Sequence, residues 1–327
     1  MNKKWIIMLL VFILVLIVFW QVVLDDGEGE RQNSNEESAD EPDHQQEQED
    51  LLYSTEDMDY EIEVIGEDLE IPWSIAPLPD GRLLVTERPG RVILLDGGEV
   101  RVLRDVEHVG EGGLLGIVTS PDFEQNRQVF LYYTYAAENQ LFNRVSRFTL
   151  EENTLTDETT ILDEIPGSQF HNGGRLKFGP DQKLYVTTGD AQQPERSQDT
   201  SSLSGKILRI NPDGSIPEDN PFEDSPVYAY GLRNPQGMAW HPVSGDLFAS
   251  DHGPNSQDEI NLIVPGENYG WPIETCSEEN PQYQEPLACY TDFTLAPSGM
   301  DFLPWERLDE TPLYVAGLRG NRVMRVD

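Results

Sequence analysis

Four short segments of this chain put chemically loaded residues beside glycine or proline: Glu111-Gly112-Gly113, His171-Asn172-Gly173-Gly174, Arg233-Asn234-Pro235 and Ala296-Pro297-Ser298-Gly299. The third opens onto an Asp-His-Gly-Pro loop, which carries Gly253 and Pro254, and then onto the carboxylate pair Asp258 and Glu259. From Asn234 to Glu306 there is no Lys or Arg, so these carboxylates have no basic partner in their own segment. Hard oxygen ligands gathered around loops are the composition a calcium site needs. A solvated acidic loop has the same composition. Taken alone, His171 beside two glycines also reads as a turn-capping residue, and Asp190, followed by small residues, as a β-turn aspartate.

The elements that must position these residues repeat. WSIAPLPDGRLLVTERPGRVILL, GLLGIVTSPDFEQNRQVFLYYTY, GRLKFGPDQKLYVTTGDA, PQGMAWHPVSGDLFASDHG and PSGMDFLPWERLDETPLYVAG each read as an apolar strand, a Pro-centred turn and a second apolar strand. The turn prolines, Pro79, Pro121, Pro180, Pro242 and Pro304, recur at intervals of roughly 40 to 60 residues, the spacing of propeller blades. Further β runs such as VSRFTL and KILRINPDG suit outer strands. The expected class is therefore all-β, a β-propeller, with the four loaded segments at or just before the first strand of a blade. A pair of β-sandwiches is the alternative, and it does not explain the recurring turn.

Sixty Asp and Glu against 22 Lys and Arg give a formal net charge of −38. That excludes nucleic acid as a partner, because phosphate binding requires a concentrated basic surface. After MNKK, the run Trp5–Leu24 carries no charge and is long enough to span a bilayer. It lacks a small-residue cleavage site, so residues 1–24 are expected to form an uncleaved membrane anchor. Lys3 and Lys4 place the N-terminus in the cytoplasm and the remainder on the extracellular side. Residues 25–58, acidic and poor in apolar groups, read as a disordered tether, and 59–327 as the propeller. Cys276 and Cys289, the sole cysteines, read as a disulfide closing a local loop in an oxidising compartment.

At these motifs the sequence resembles the soluble glucose dehydrogenase and aldose sugar dehydrogenase family, six-bladed quinoprotein propellers that use pyrroloquinoline quinone (PQQ) and calcium. The resemblance is carried by PWSIAPLPDGRLLVTER (72–88), GGLLGIVTSPDF (112–123), HNGGRLKFGPDQKLYVTTGD (171–190), GKILRINPDGSIPEDNPF (205–222), GLRNPQG (231–237) and HGPNSQDEINLIVPGENYGWP (252–272). It implies oxidation of the anomeric hydroxyl of an aldose to the lactone, with hydride passing to calcium-bound PQQ and electrons to a respiratory acceptor. It also implies roles for single residues. His171 is the general base, a task suited to imidazole because its ordinary titration lies near neutrality. Asp190 is a carboxylate near base and substrate, and Arg233 the cation beside the reactive quinone carbonyl. Asn234 contacts the cofactor, Gly253 and Pro254 hold the active-site calcium through main-chain carbonyls, and Asp258, Glu259 and Tyr269 form a second, structural calcium cluster.

The match departs from the family in three places. Glu111 stands where the family commonly has Gln, so a carboxylate approaches the cofactor-binding position. Arg319 stands where it commonly has Lys. Relatives continue with a further Pro-Asp-Gly repeat, so the expected propeller lacks its last repeat and the strand YEIEVIG (60–66) has no pairing partner. These departures leave a second reading, a non-enzymatic carbohydrate- or protein-binding propeller, and a third, a calcium-dependent hydrolase, for which no clustered His/Asp set stands out.

Overall fold

The computed structural model describes residues 63–95, 97–276, 280–303, 311–319 and 322–326. Among them, five antiparallel sheets follow one another along the chain, each a meander of consecutive strands. Blade 1 comprises β1 (Pro72–Pro77), β2 (Leu83–Glu87), β3 (Arg91–Leu94) and β4 (Gly98–Val102). Blade 2 comprises β5 (Leu114–Thr119), β6 (Gln128–Ala137), β7 (Gln140–Glu151) and β8 (Thr154–Pro166). In blade 3 are β9 (Leu176–Phe178), β10 (Leu184–Thr188), β11 (Lys206–Ile210) and β12 (Val227–Tyr230), and in blade 4 β13 (Pro235–Trp240), β14 (Leu247–Asp251), β15 (Asp258–Ile263) and β16 (Ala288–Tyr290). Blade 5 has three strands, β17 (Pro297–Phe302), β18 (Leu313–Gly317) and β19 (Arg322–Val326).

Pro79, Pro121, Pro180 and Pro242 fall in the connections between first and second strands, as the repeat predicts. Pro304 falls in the corresponding connection of blade 5 but lies outside the described residues. The runs VSRFTL and KILRI belong to third strands, β7 and β11. Residues 63–66 carry no strand, and residues 60–62 of the expected strand lie outside the described residues. So do the expected anchor, residues 1–24, and the tether, residues 25–58. No helix among the described residues is long and apolar enough to cross a membrane.

Side-chain alternation explains why the sheets stack face to face. Successive residues of a strand point to opposite faces, and in β6 Val129, Leu131 and Tyr133 pack toward blade 1 while Phe130 and Tyr132 pack toward blade 3. In blade 3 the rule repeats: Leu184, Val186 and Leu208 face blade 2, whereas Tyr185 and Ile207 face blade 4. Ala239, Ile260, Met300 and Val315 fill the seam between blades 4 and 5. A strand buried on both faces loses the apolar-in, polar-out alternation, as in LLVTE and KILRI, every residue of which is buried.

Cys276 and Cys289 are joined, with Cα atoms 5.6 Å apart, and tie the 270s loop to β16. Their sequence separation of 13 closes a short loop. Replacing both by serine is expected to lower unfolding stability by about 3 kcal/mol, most of it through the unfolded chain. Denaturant midpoints of the two proteins, measured without reductant, check this.

Candidate active site

In a meander, the start of the first strand, the end of the second and the start of the third share one end of the sheet. That rule brings Glu111 (before β5), His171 (before β9), Asp190 (after β10), Arg233 and Asn234 (before β13), Asp251 to Pro254 (end of β14) and Arg319 (after β18) to the same end of the propeller. Side-chain contacts then join most of them.

His171 adopts φ = 60°, a left-handed conformation that is uncommon for a residue with a Cβ. It is held there by its own main chain: its N–H donates to Glu111 Oε2 at 3.0 Å and its carbonyl accepts from Ala191 N at 3.1 Å. The ring's Nδ1 lies 2.8 Å from Asp190 Oδ1. Asp190 is fully buried, and its oxygens also accept from Gln192 N at 2.7 Å and Trp271 Nε1 at 2.8 Å. A carboxylate so fixed keeps the imidazole proton on Nδ1 and leaves Nε2 as the basic nitrogen. Gly173, two residues on, has φ = 63°, and a Cβ there would sit 2.7 Å from Thr187 O. Only glycine allows the His171 loop to lie so close to β10.

Arg233 enters through its backbone, its N–H donating to Asp251 Oδ2 at 2.8 Å and its carbonyl accepting from Asp190 N at 2.8 Å. Its guanidinium lies over the Trp271 ring, 5.4 Å from the centroid, and donates from Nη1 to His252 O at 3.1 Å. Its Nε is buried without a protein partner. Asn234 links three blades: its N–H donates to Asp251 Oδ1 at 2.6 Å, its Oδ1 accepts from Gly173 N at 3.0 Å, and its Nδ2 donates to Glu111 Oε2 at 3.3 Å. Burial, reinforced by the Glu259 charge, pushes the Asp251 carboxyl up to about 7, against the pull of the two N–H groups it accepts. Burial likewise pulls His252 down to about 4, and its Nε2 sits 2.8 Å from Pro297 O.

The loop from 189 to 205 forms one wall. Within it lies a short 3-10 helix, Pro194–Gln198. Lys206, fully buried at the start of β11, donates to the carbonyls of Arg196 at 2.9 Å, Ser197 at 2.9 Å and Ser204 at 2.5 Å. From this loop Gln198 donates to Trp271 O at 2.7 Å and Asn268 Oδ1 at 3.0 Å, holding the indole against Asp190.

The expected metal ligands separate. Gly253 and Pro254 begin a tight turn beside His252, in which Asn255 and Gln257 have φ = 65° and 69°. A Cβ on Gly253 would lie 2.0 Å from Gln257 O. Main-chain carbonyls of such a pinned turn suit a hard cation. Asp258, by contrast, accepts from Gly253 N at 3.0 Å with Oδ1 and from Leu295 N at 2.7 Å and Ala296 N at 2.9 Å with Oδ2. It fastens blade 4 to the entry of blade 5. The Tyr269 hydroxyl is taken up by Leu262 O and Val264 N, each at 2.8 Å. Asp258 and Glu259, adjacent on β15, face opposite ways, and the side chains of Asp258, Glu259 and Tyr269 each bond to different partners. Among the described residues no group of three or more His, Cys, Asp or Glu is placed to hold a metal. What remains at Glu259 is a buried carboxylate, bonded to Cys276 N at 2.6 Å and Asn261 Nδ2 at 3.1 Å, beside the buried, unpartnered Asn261 Oδ1.

Arg319 is exposed, and its N–H donates to Leu295 O at 3.1 Å. Sequence reasoning missed Trp271, Asp251, His252 and Arg88, whose guanidinium donates to the carbonyls of Gly110 and Gly112 and so holds the Glu111 loop. Each lies inside a quoted motif, but its partners come from other blades, and no spacing along the chain announces them.

Comparison with known proteins agrees with this architecture. The model of the Glucose / Sorbosone dehydrogenase family matches residues 69–327. Aldose sugar dehydrogenase YliI of Escherichia coli is 35% identical over 237 residues, 65% of this chain and 62% of that protein. Quinoprotein glucose dehydrogenase B of Acinetobacter calcoaceticus is 37% identical over 251 residues, 65% of this chain and 52% of its own length. The matched region is thus under two thirds of either of these relatives. Among solved structures, a PQQ-bound aldose sugar dehydrogenase from Streptomyces coelicolor superposes with a TM-score of 0.73 at 38% identity, covering 81% of this chain and 79% of that one. With a family match across every blade of the propeller, the chain belongs to the Glucose / Sorbosone dehydrogenase family.

Proposed function

We propose that this protein is an aldose sugar dehydrogenase that oxidises the anomeric hydroxyl to the lactone and uses calcium-bound PQQ. The observation that carries the reading is the His171–Asp190 pair, 2.8 Å apart, with Arg233 stacked on the tryptophan that bonds the same Asp190. The residues present fit such a cofactor. A flat, anionic group finds cations in Arg233, Arg88 and Arg319 at one end of the propeller, and the Nε atoms of Arg233 and Arg88 are buried without protein partners. Calcium would be held by the carbonyls of Gly253 and Pro254. The Glu111 carboxylate is drawn onto His171 N and Asn234 Nδ2, a contact that limits its repulsion of an anion.

In the reaction, His171 Nε2 takes the proton of the anomeric hydroxyl as the C1 hydrogen departs with its electron pair, leaving the C1=O of the lactone. Asp190 holds the ring during that transfer and stabilises the imidazolium that results. Arg233 supplies fixed positive charge where negative charge develops, in a site walled by Trp271. When bound, PQQ would supply the two-electron acceptor for the hydride, and calcium would polarise it.

The test is reconstitution. Full-length protein given PQQ and Ca²⁺ is expected to reduce an artificial electron acceptor when aldoses are added and to lose that activity on chelation. No saturable PQQ binding, with calcium present, would replace this reading with a non-enzymatic carbohydrate- or protein-binding propeller. The proposal extends to location: residues 1–24 anchor the chain, residues 25–58 tether it, and the propeller works on the extracellular side, delivering electrons to a respiratory acceptor at the membrane. Fractionation of the full chain with membranes, before and after removal of residues 1–24, checks the anchor.

A further inference from the structure

The axis of the propeller carries a second cationic feature that the chemistry above does not use. Below the His171 loop, alternate residues of blade 3's first strand and its lead, Arg175 and Lys177, reach across the channel. Arg175 donates from Nε to Gln236 O of blade 4 at 2.8 Å and from Nη1 to Ser74 Oγ of blade 1 at 3.0 Å. Its guanidinium lies over Trp73, 4.2 Å from the ring centroid, and a Cβ on Gly299 of blade 5 would be 3.5 Å from Nη2. One side chain thus meets three blades besides its own, which places it on the axis. Lys177, one step further down, donates to Met238 O at 3.4 Å and pairs with Asp301 at 3.0 Å.

The two cations differ in one respect. Lys177 is neutralised by Asp301, whereas among the described residues no carboxylate lies within ion-pair distance of Arg175. Burial pulls the Arg175 guanidinium down to about 10, with Asp301 only partly offsetting it. A glutamine reaching the same carbonyl and hydroxyl would bind them without burying charge, so the tie between blades does not by itself account for a guanidinium. Arg175 lies two residues along the chain from Gly173, at most roughly 7 Å, in the lead into β9 and next to the loop in which Gly173 N donates to Asn234 Oδ1. A fixed charge enclosed by protein acts over such a distance far more strongly than it does in water.

We infer that Arg175 is an electrostatic anchor for the anionic cofactor, attracting its carboxylates from beneath without touching them. This rests on the PQQ reading above. The experiment uses the full chain with calcium and compares wild type, Arg175→Met and Arg175→Lys in two measurements, PQQ dissociation constant by titration and thermal midpoint. Arg175→Met removes the bonds to Ser74 and Gln236, and Arg175→Lys, a single ammonium in place of the guanidinium fork, loses that paired geometry, so both should lower the midpoint. Only the first removes the charge. Arg175→Met is expected to weaken PQQ binding roughly tenfold or more, and Arg175→Lys to stay within about threefold of wild type.

Equal weakening in both variants, in step with their midpoints, would make Arg175 a structural tie only and overturn the inference. Unchanged binding in Arg175→Met would overturn it as well, and in both cases the cofactor reading would survive. Wild type that binds no PQQ would instead overturn the cofactor reading, and this one with it. Should Arg175→Met not fold, Arg175→Gln, which keeps hydrogen-bond donors, supplies the uncharged comparison.

Discussion

Replacing His171 by glutamine is expected to lower turnover by roughly a thousandfold while PQQ and calcium remain bound, because positioned general bases typically contribute factors of 10² to 10⁴. The substitution leaves in place the two main-chain bonds that shape this loop, from His171 N to Glu111 and from Ala191 N to His171 O. In the reaction proposed above it removes the group that receives the proton. Asp190→Asn should reproduce a large part of the loss by a different route. An amide offers one acceptor oxygen to the three donors His171 Nδ1, Gln192 N and Trp271 Nε1, so the imidazole is no longer held in the productive tautomer. Single-turnover rates of the reconstituted proteins, with cofactor occupancy read from absorbance, separate the two effects. If His171→Gln turned over at the wild-type rate with cofactor bound, another base would be required.

Lys206→Met is expected to damage stability as much as removing the disulfide. The ammonium is enclosed with three carbonyl partners, and methionine of similar length leaves all three without a donor. Removing a buried charge returns some desolvation energy, but stranding three acceptors outweighs it, for a net loss of about 3 kcal/mol. The loss should depend on pH in a definite sense. Burial pulls Lys206 down to about 7, below its ordinary 10.5, so between those values the unfolded chain binds more protons than the folded one. The lysine's titration therefore contributes stability that is full above about pH 10.5 and is lost as pH falls through about 7. Denaturant unfolding of wild type and variant at pH 7 and pH 9.5 should show the wild-type advantage growing at the higher pH, and a pH-independent difference would contradict the assignment. Because Gln198 of the same loop holds Trp271, which bonds Asp190, turnover should fall along with stability.

Much of the fold was legible because two signals act locally. Pro-centred turns mark the connection between first and second strands, and apolar runs such as the LLV of LLVTE belong to strands covered on both faces. The chemically loaded entries at Glu111, His171 and Arg233 followed from asking what precedes each first strand, and their side chains and main chain do meet. Reading stopped where partners come from other sheets. Asp258 looked like a metal ligand in a segment without basic residues, but its partners are backbone N–H groups at Gly253, Leu295 and Ala296, and main-chain donors leave no trace in composition. Trp271 and Arg88 were overlooked for the same reason. The spacing of 81 residues between Trp271 and Asp190 acquires meaning only after the blades are stacked. The Cys276–Cys289 pair was legible because no other cysteine competes.

The apolar seams run between the sheets, whereas the His171 imidazole, the Arg233 guanidinium and the pinned turn all hang from connections at one rim. Selection can therefore act on the two almost independently. Under the proposed function, a longer connection ahead of β9 or after β14 would change which sugars are admitted without disturbing the alternation that holds Val186 against its neighbours in blade 2. Gains in robustness can likewise accumulate in the seams while catalysis stays as it is. Such a layout gives a lineage wide latitude to trade one sugar for another on an unchanged frame.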